Sequence, residues 1–228
     1  MSTNPHPQHA RQAILARVKS AINAPDLYAA GRDEQMCTDW GRIPRAFRRD
    51  GNAALQEVIA LLRSRLDDYG APSQVVTREQ VPQTISQILQ SRGKSRLVAA
   101  RDIPDEWLQQ QQGIEFARDT GFTHEELNRI DGVITACTVA IAVSGTIVLS
   151  ARDDGRRALT LVPDYELCIV RDDQIVELFP EAIARLGAVK TTPLTFFSGP
   201  SATADIEMIR VQGVHGPRTL DVIIVSQS

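Results

Sequence analysis

Residues 132–150 read GVITACTVAIAVSGTIVLS, two stretches rich in Val, Ile, Thr and Ala broken at Ser144-Gly145. β-Branched side chains fit a pleated, packed surface, so both stretches are expected as strands. The break is too short for the crossover helix that parallel neighbours require. The two runs therefore read as neighbouring antiparallel strands, or as one strand with a tight turn.

Working upstream, strands and helices alternate. Asn52 is expected to cap a helix whose Leu55, Val58, Ile59, Leu62, Leu66 and Tyr69 form one apolar stripe. A short β run follows at 74–77, then a helix at 81–90 with Ile85, Ile88 and Leu89 inward. Residues 95–100 (SRLVAA) form a strand, 104–112 a helix with Trp107 and Leu108, and 114–117 another strand. A short helix capped by Thr123 leads back to the opening stretch. Such alternation implies parallel pairing with crossover helices. Downstream, ELCIVRD (166–172) is a strand, 174–186 a helix, and TPLTFFS (192–198) a strand running into Gly199-Pro200. TLDVIIVS (219–226) closes the sheet. The expected fold is α/β: a mixed, mainly parallel sheet flanked by helices, with an N-terminal helical extension.

That extension has its own character. Residues 1–8 are polar and read as a disordered lead. From 9 to 22 the positions Ile14, Leu15, Val18 and Ile22 recur at helical spacing, the pattern of a surface helix. Pro25, Gly31, Gly41, Pro44 and Gly51 then break any period, giving an irregular arm with Trp40, Ile43 and Phe47 as anchors. Its Arg42, Arg45, Arg48 and Arg49 suit a solvated face or ion pairs, or else an anion. The helix and arm are placed at 1–50 and the α/β domain at 51–228.

The 228 residues carry 25 Lys+Arg against 28 Asp+Glu, a formal charge of −3 that gives no reason to expect nucleic acid. Cys37, Cys137 and Cys168 stand far apart with no CxxC pair, a poor framework for disulfides, metal or an iron–sulfur cluster. No cofactor or metal is expected. No stretch approaches the roughly 20 apolar residues of a membrane span, and a cytoplasmic protein is expected.

The strongest local signal for chemistry is Ser198-Gly199-Pro200-Ser201, where a β run enters a segment able to start a helix. Glycine lets backbone approach a ligand, and proline is tolerated at a first helical position. The hydroxyls of Ser198, Ser201 and Thr203 and free N–H groups at the helix start would then make an anion site; Asp205 is counted with the ligand-binding set or is an ordinary early-helix acid. Ser198 or Ser201 could equally serve as an ordinary cap. Ser144-Gly145-Thr146 is a weaker ligand-contact candidate, since a glycine between two β runs more often marks a tight turn or bulge. His215-Gly216-Pro217 is a bounded loop whose His215 could act as a base near neutrality or be plain polar surface. No P-loop, HExxH or Ser-His-Asp order is present.

The stretches 132–150, RRALTLVPDYELCIVRDDQIV (156–176), SGPSATADIE (198–207) and GVHGPRTLDVIIV (213–225) together resemble the lactate utilisation protein C family of LUD-domain proteins. The resemblance implies a fold similar to the NagB/RpiA/CoA-transferase group. It also implies a role as the cluster-free accessory component of a system oxidising L-lactate to pyruvate. Iron–sulfur-containing lactate utilisation proteins are then its partners, and a small carboxylate or phosphate its ligand. The family's turn usually reads Ala-Glu-Thr-Gly-Thr, whereas Ile141-Ala142-Val143-Ser144-Gly145-Thr146 holds no carboxylate. That departure argues against acyl transfer by a carboxylate at this turn. Fold analogy alone leaves a second expectation, a stand-alone enzyme acting on a sugar phosphate or CoA ester.

Overall fold

The computed structural model describes residues 7–22, 40–44, 46–109, 111–151, 155–187, 191–203, 211–212 and 216–226. The chain forms two units, Met1–Phe47 and Arg48–Ser228. In the first, helix α1 (Pro7–Ile22) leaves Ile14, Leu15, Val18 and Ile22 exposed. Trp40, Ile43 and Phe47 are exposed as well, while Cys37, Arg45 and most of the expected arm lie outside the described residues.

The second unit begins with α2 (Leu55–Asp68), β1 (Ser73–Thr77), α3 (Val81–Ser91), β2 (Arg96–Ala99), α4 (Asp105–Leu108), β3 (Glu115–Arg118) and α5 (His124–Asn128). Then follow β4 (Gly132–Ala136), β5 (Val139–Ile141), β6 (Thr146–Ser150), α6 (Arg157–Leu161), β7 (Tyr165–Arg171) and β8 (Ile175–Val176). The last elements are α7 (Phe179–Leu186), β9 (Leu194–Phe197), β10 (Ala202–Thr203), β11 (Val211–Gln212) and β12 (Thr219–Ser226).

Six strands form a wholly parallel sheet in the order β1-β12-β7-β4-β2-β3. Four more form a mixed sheet, β8-β5-β6-β9, in which β6 runs antiparallel to β5 and β9. Stretch 132–150 thus supplies the expected antiparallel pair, but its first run divides at Cys137-Thr138 between the two sheets. β12 does not close an edge; it lies inside the parallel sheet between β1 and β7.

Both faces of the parallel sheet are covered, which is why its central strands are apolar without alternation. Along β7, Tyr165, Leu167 and Ile169 pack on α3 and α4, while Cys168 and Val170 face the opposite cluster. That second cluster joins Val58, Ile59, Leu62 and Leu66 of α2 to Ile147 and Leu149 of β6 and Val222 and Ile224 of β12. Helix α2 is therefore the element packed between the two sheets.

Three element expectations need correction. The N-cap of α2 is Ala54, and Asn52 instead donates its N–H to Glu177 Oε2 at 2.8 Å. Residues 174–186 are not one helix: Asp172–Gln174 is a 3-10 turn, β8 follows, and α7 starts only at Phe179 with Pro180 in its first turn. The helix expected over 104–112 is a single turn, α4. The Thr123 cap is present, with Thr123 Oγ1 accepting from Glu126 N and Glu126 accepting in return. Among the described residues no helix is long and apolar enough to cross a membrane.

Candidate functional site

The turn after β5 is shaped by α2. Ala142–Ser144 make a 3-10 turn that Gly145 ends at φ +63°, a left-handed conformation costly to any residue with a Cβ. A Cβ on Gly145 would lie 2.7 Å from Arg65 Cβ. Gly199 repeats the device beyond β9: its φ is +83°, and a Cβ would lie 2.4 Å from Tyr69 Cβ. Both glycines seat the end of α2, Gly145 in the tight turn that the sequence suggested.

The side chains around them do converge. Ser144 Oγ lies 2.7 Å from Thr146 Oγ1, which lies 2.8 Å from Ser198 Oγ. Three hydroxyls joined by two hydrogen bonds leave one O–H unspent within the chain. Ser198 is the end that lines a cleft of about 350 Å³. Ser201 closes the arrangement from the other side, its N–H donating to Pro217 O at 2.8 Å. All three segments singled out in the sequence are thus tied to one another.

The cleft wall comprises Ser198, Gly199, Pro200 and Ser201 with Gly216 and Pro217, faced by Arg157 and Thr160 of α6, Glu166 of β7 and Leu220 of β12. Arg157 is exposed and is the one cation among the described lining residues. Glu166 is buried and accepts a 2.9 Å hydrogen bond from Thr135 Oγ1. Sequence reading passed over Glu166. Its only signal was an acid inside an apolar strand, where burying a carboxylate is costly unless partners hold it.

Two features differ from expectation. Pro200 does not open a helix, because Ala202–Thr203 is extended and pairs with Val211–Gln212. The row of free helix-start amides is therefore not behind Ser201. The turn follows the carboxyl end of β9, in the mixed sheet, but the cleft borders the amino ends of β7 and β12 in the parallel sheet. Thr203 is placed by its backbone in β10; Asp205 and His215 lie outside the described residues.

On the opposite face of the parallel sheet, Arg92 grips Asp221 with two hydrogen bonds, Nε at 2.9 Å and Nη2 at 2.8 Å. Burial there pushes the Tyr165 hydroxyl well above the ordinary range for a phenol, with the Asp221 charge adding to it. This group faces the core rather than the cleft and is a structural brace. Among the described residues no group of three or more His, Cys, Asp or Glu is arranged to hold a metal ion.

Comparison with known proteins adds the following. The LUD domain family model matches residues 53–225. A lactate utilization protein C from Deinococcus radiodurans is 43% identical over 173 residues, covering 74% of this chain and 80% of its own. The protein of that name from Macrococcus caseolyticus is 29% identical over 180 residues, 74% of this chain and 78% of its own. A crystal structure of a DUF162 family protein from Deinococcus radiodurans superposes with a TM-score of 0.65 at 36% identity, covering 76% of this chain and 99% of that one.

Proposed function

The chain belongs to the LUD domain family, and from that membership we propose that it acts in L-lactate oxidation to pyruvate as the cluster-free accessory subunit of a cytoplasmic multi-protein system. The observation that carries the pathway is the likeness, over most of both chains, to a protein called lactate utilization protein C. The partners in this reading are iron–sulfur-containing lactate utilisation proteins. Cys137 and Cys168 support that division of labour, because both are buried in the α2 core cluster and pack there as small hydrophobes.

The ligand of this reading is a small carboxylate or phosphate held at the 198–201 turn. The unspent proton of the Ser144-Thr146-Ser198 hydroxyl chain supports it, as does Arg157 at the rim. A strain lacking the gene is expected to lose growth on L-lactate, and the tagged protein to co-purify with iron–sulfur partners. Full growth without it, together with no association at any lactate level, would remove the proposal. The variant Ser198→Ala is expected to weaken ligand binding about ten-fold or more while leaving association intact, the loss expected for one hydrogen bond to a charged group.

Glu166 favours a second reading, a stand-alone enzyme acting on a sugar phosphate or CoA ester. The carboxylate missing from the 141–146 turn has a counterpart on the cleft wall, buried and oriented by Thr135. Turnover of a panel of such esters, abolished by Glu166→Gln, is the result this reading requires; no turnover of any of them refutes it.

A further inference from the structure

A second cleft, of about 640 Å³, lies where parallel sheets of this class present their ligands. Its walls come from the carboxyl ends of β2 (Ala99, then Arg101) and β3 (Arg118, then Asp119 to Gly121), with Ala151 after β6 and Arg156 before α6. In open α/β sheets the ligand crevice lies outside the carboxyl ends of the strands, where the strand order reverses. In this sheet the reversal lies between β2 and β4, and the cleft borders it through β2. From adjacent strands, the chain leaves β2 towards β3 and leaves β4 towards β7 on the other side.

Among the described residues, three guanidinium groups line this cleft, against two carboxylates. Arg118 is fixed by Nη1 to Ala100 O at 2.5 Å, by Nη2 to Ile103 O at 2.6 Å, and by an ion pair with Asp105. Arg156 is fixed by Nε and Nη2 to the two oxygens of Asp119, at 2.7 and 3.1 Å, and by Phe122 O. An arginine has five N–H donors. Among the described residues these bonds leave Arg118 its Nε–H and one Nη1–H, and Arg156 both hydrogens of Nη1. Arg101 is exposed and makes no hydrogen bond or ion pair with any described residue. Among the described residues the lining therefore holds three positive charges against two negative, with Arg101 unpaired there and Arg118 and Arg156 each held by fixed hydrogen bonds.

We propose that this cleft binds a small organic anion, a carboxylate or phosphate monoester, through Arg101 and the unspent N–H groups of Arg118 and Arg156. Planar guanidinium forks match either headgroup in two-point fashion. Asp119 is the positioning residue. Burial opposes its ionisation, but the Arg156 fork and the N–H groups of Gly121 and Phe122 outweigh that and hold its pKa below the ordinary aspartate value. It therefore stays charged, and Arg156 stays anchored, across the neutral range. The site is independent of the cleft at Ser198–Ser201, which has one arginine and a buried carboxylate on its wall.

Calorimetry on the full chain tests it, with inorganic phosphate and pyrophosphate in one arm and L-lactate and pyruvate in the other. At least one arm is expected to show binding, and the arm that does identifies the headgroup. Arg101→Gln is expected to weaken that binding about ten-fold or more, the loss of one charge-assisted hydrogen bond. Arg101→Lys, which keeps the charge but not the fork, falls between. Thermal unfolding of both variants should match the parent, since Arg101 is exposed. The proposal is overturned if neither arm binds at concentrations up to about 10 mM, in the weakest range of specific affinities. It is also overturned if all three proteins bind equally, or if Ser201→Ala in the other cleft abolishes binding that Arg101→Gln leaves intact.

Discussion

At the scale of single residues, Gly199 and Gly145 carry more of the architecture than their place beside a cleft suggests. Gly199→Ala forces a methyl to 2.4 Å from Tyr69 Cβ at a φ of +83°, and Gly145→Ala forces one to 2.7 Å from Arg65 Cβ at +63°. The left-handed penalty plus overpacking amounts to about 2–4 kcal/mol. Urea unfolding should show both variants destabilised, Gly199→Ala the more, since its nearest obstruction is closer. A loss under 0.5 kcal/mol, the scale of an ordinary surface change, would mean that α2 shifts freely. Asp119 makes a prediction in pH. The pKa of its carboxyl is depressed in the folded chain despite burial, so it contributes stability that is fully present above its unfolded value of about 3.9 and is lost as pH falls through the lower folded value. Denaturant midpoints should therefore decline below about pH 4 in the parent. Asp119→Asn should lower the neutral midpoint and flatten that decline.

At the scale of elements, α2 is the joint between the two sheets, and Leu62 is its fully buried centre. Leu62→Ala should cost about 2–5 kcal/mol, the range for a leucine whose cavity cannot collapse. The cavity would open between β6 of one sheet and β12 of the other, so the loss should appear as one cooperative transition at a lower urea midpoint. Two separate transitions would show that the sheets unfold independently. The helical stripe of α2 (save the exposed Leu55), the cap at Thr123 and most parallel strands are legible because each is written in local periodicity or cap chemistry. The division of 132–150 was not legible: the run is apolar on both sides of Cys137-Thr138, and periodicity does not name a strand's partner. Residues 174–186 misled for a related reason. Ile175 and Val176 fit a helical stripe, yet they pair with Ala140 and Ile141, and Pro180 sets the true helix start. At α2 the carboxylate of Glu177 takes the N–H groups of Asn52 and Ala53 and the Arg48 guanidinium, and these hold its pKa below the ordinary glutamate value. No local motif connects a residue at 52 with one at 177.

At the scale of the whole molecule, both clefts show what a linear reading can and cannot see. The serine-rich cleft was visible in part, since Gly/Pro-bounded turns announce themselves; the contact of Thr146 with Ser198 required the β6–β9 pairing. The arginine cleft was invisible, because Arg101, Arg118 and Arg156 come from three distant connections that only the sheet order gathers. The division of the chain supports one last prediction. The core clusters described here all begin at or after Val58, within the unit Arg48–Ser228. In the other unit, Ile14, Leu15, Val18, Ile22, Trp40, Ile43 and Phe47 are exposed and bury little apolar area that folding could draw upon. A chain starting at Arg48, which keeps the ion pair to Glu177, should therefore unfold in one cooperative transition within a few degrees of the full chain, as expected for less than about 1 kcal/mol of lost stability. Those exposed apolar residues are instead suited to a partner surface, where aromatic anchors carry much of the binding energy. If the proposed function and the proposed arginine site hold, the truncated protein should keep anion binding in the arginine cleft yet lose co-purification with the iron–sulfur partners of that proposal. A truncated chain that melts without cooperativity would place part of the core in the N-terminal unit. One that folds and still recovers those partners would move the docking surface to the α/β unit, where Val143, Phe179, Ile183 and Phe196 are among the large apolar side chains exposed around the mixed sheet.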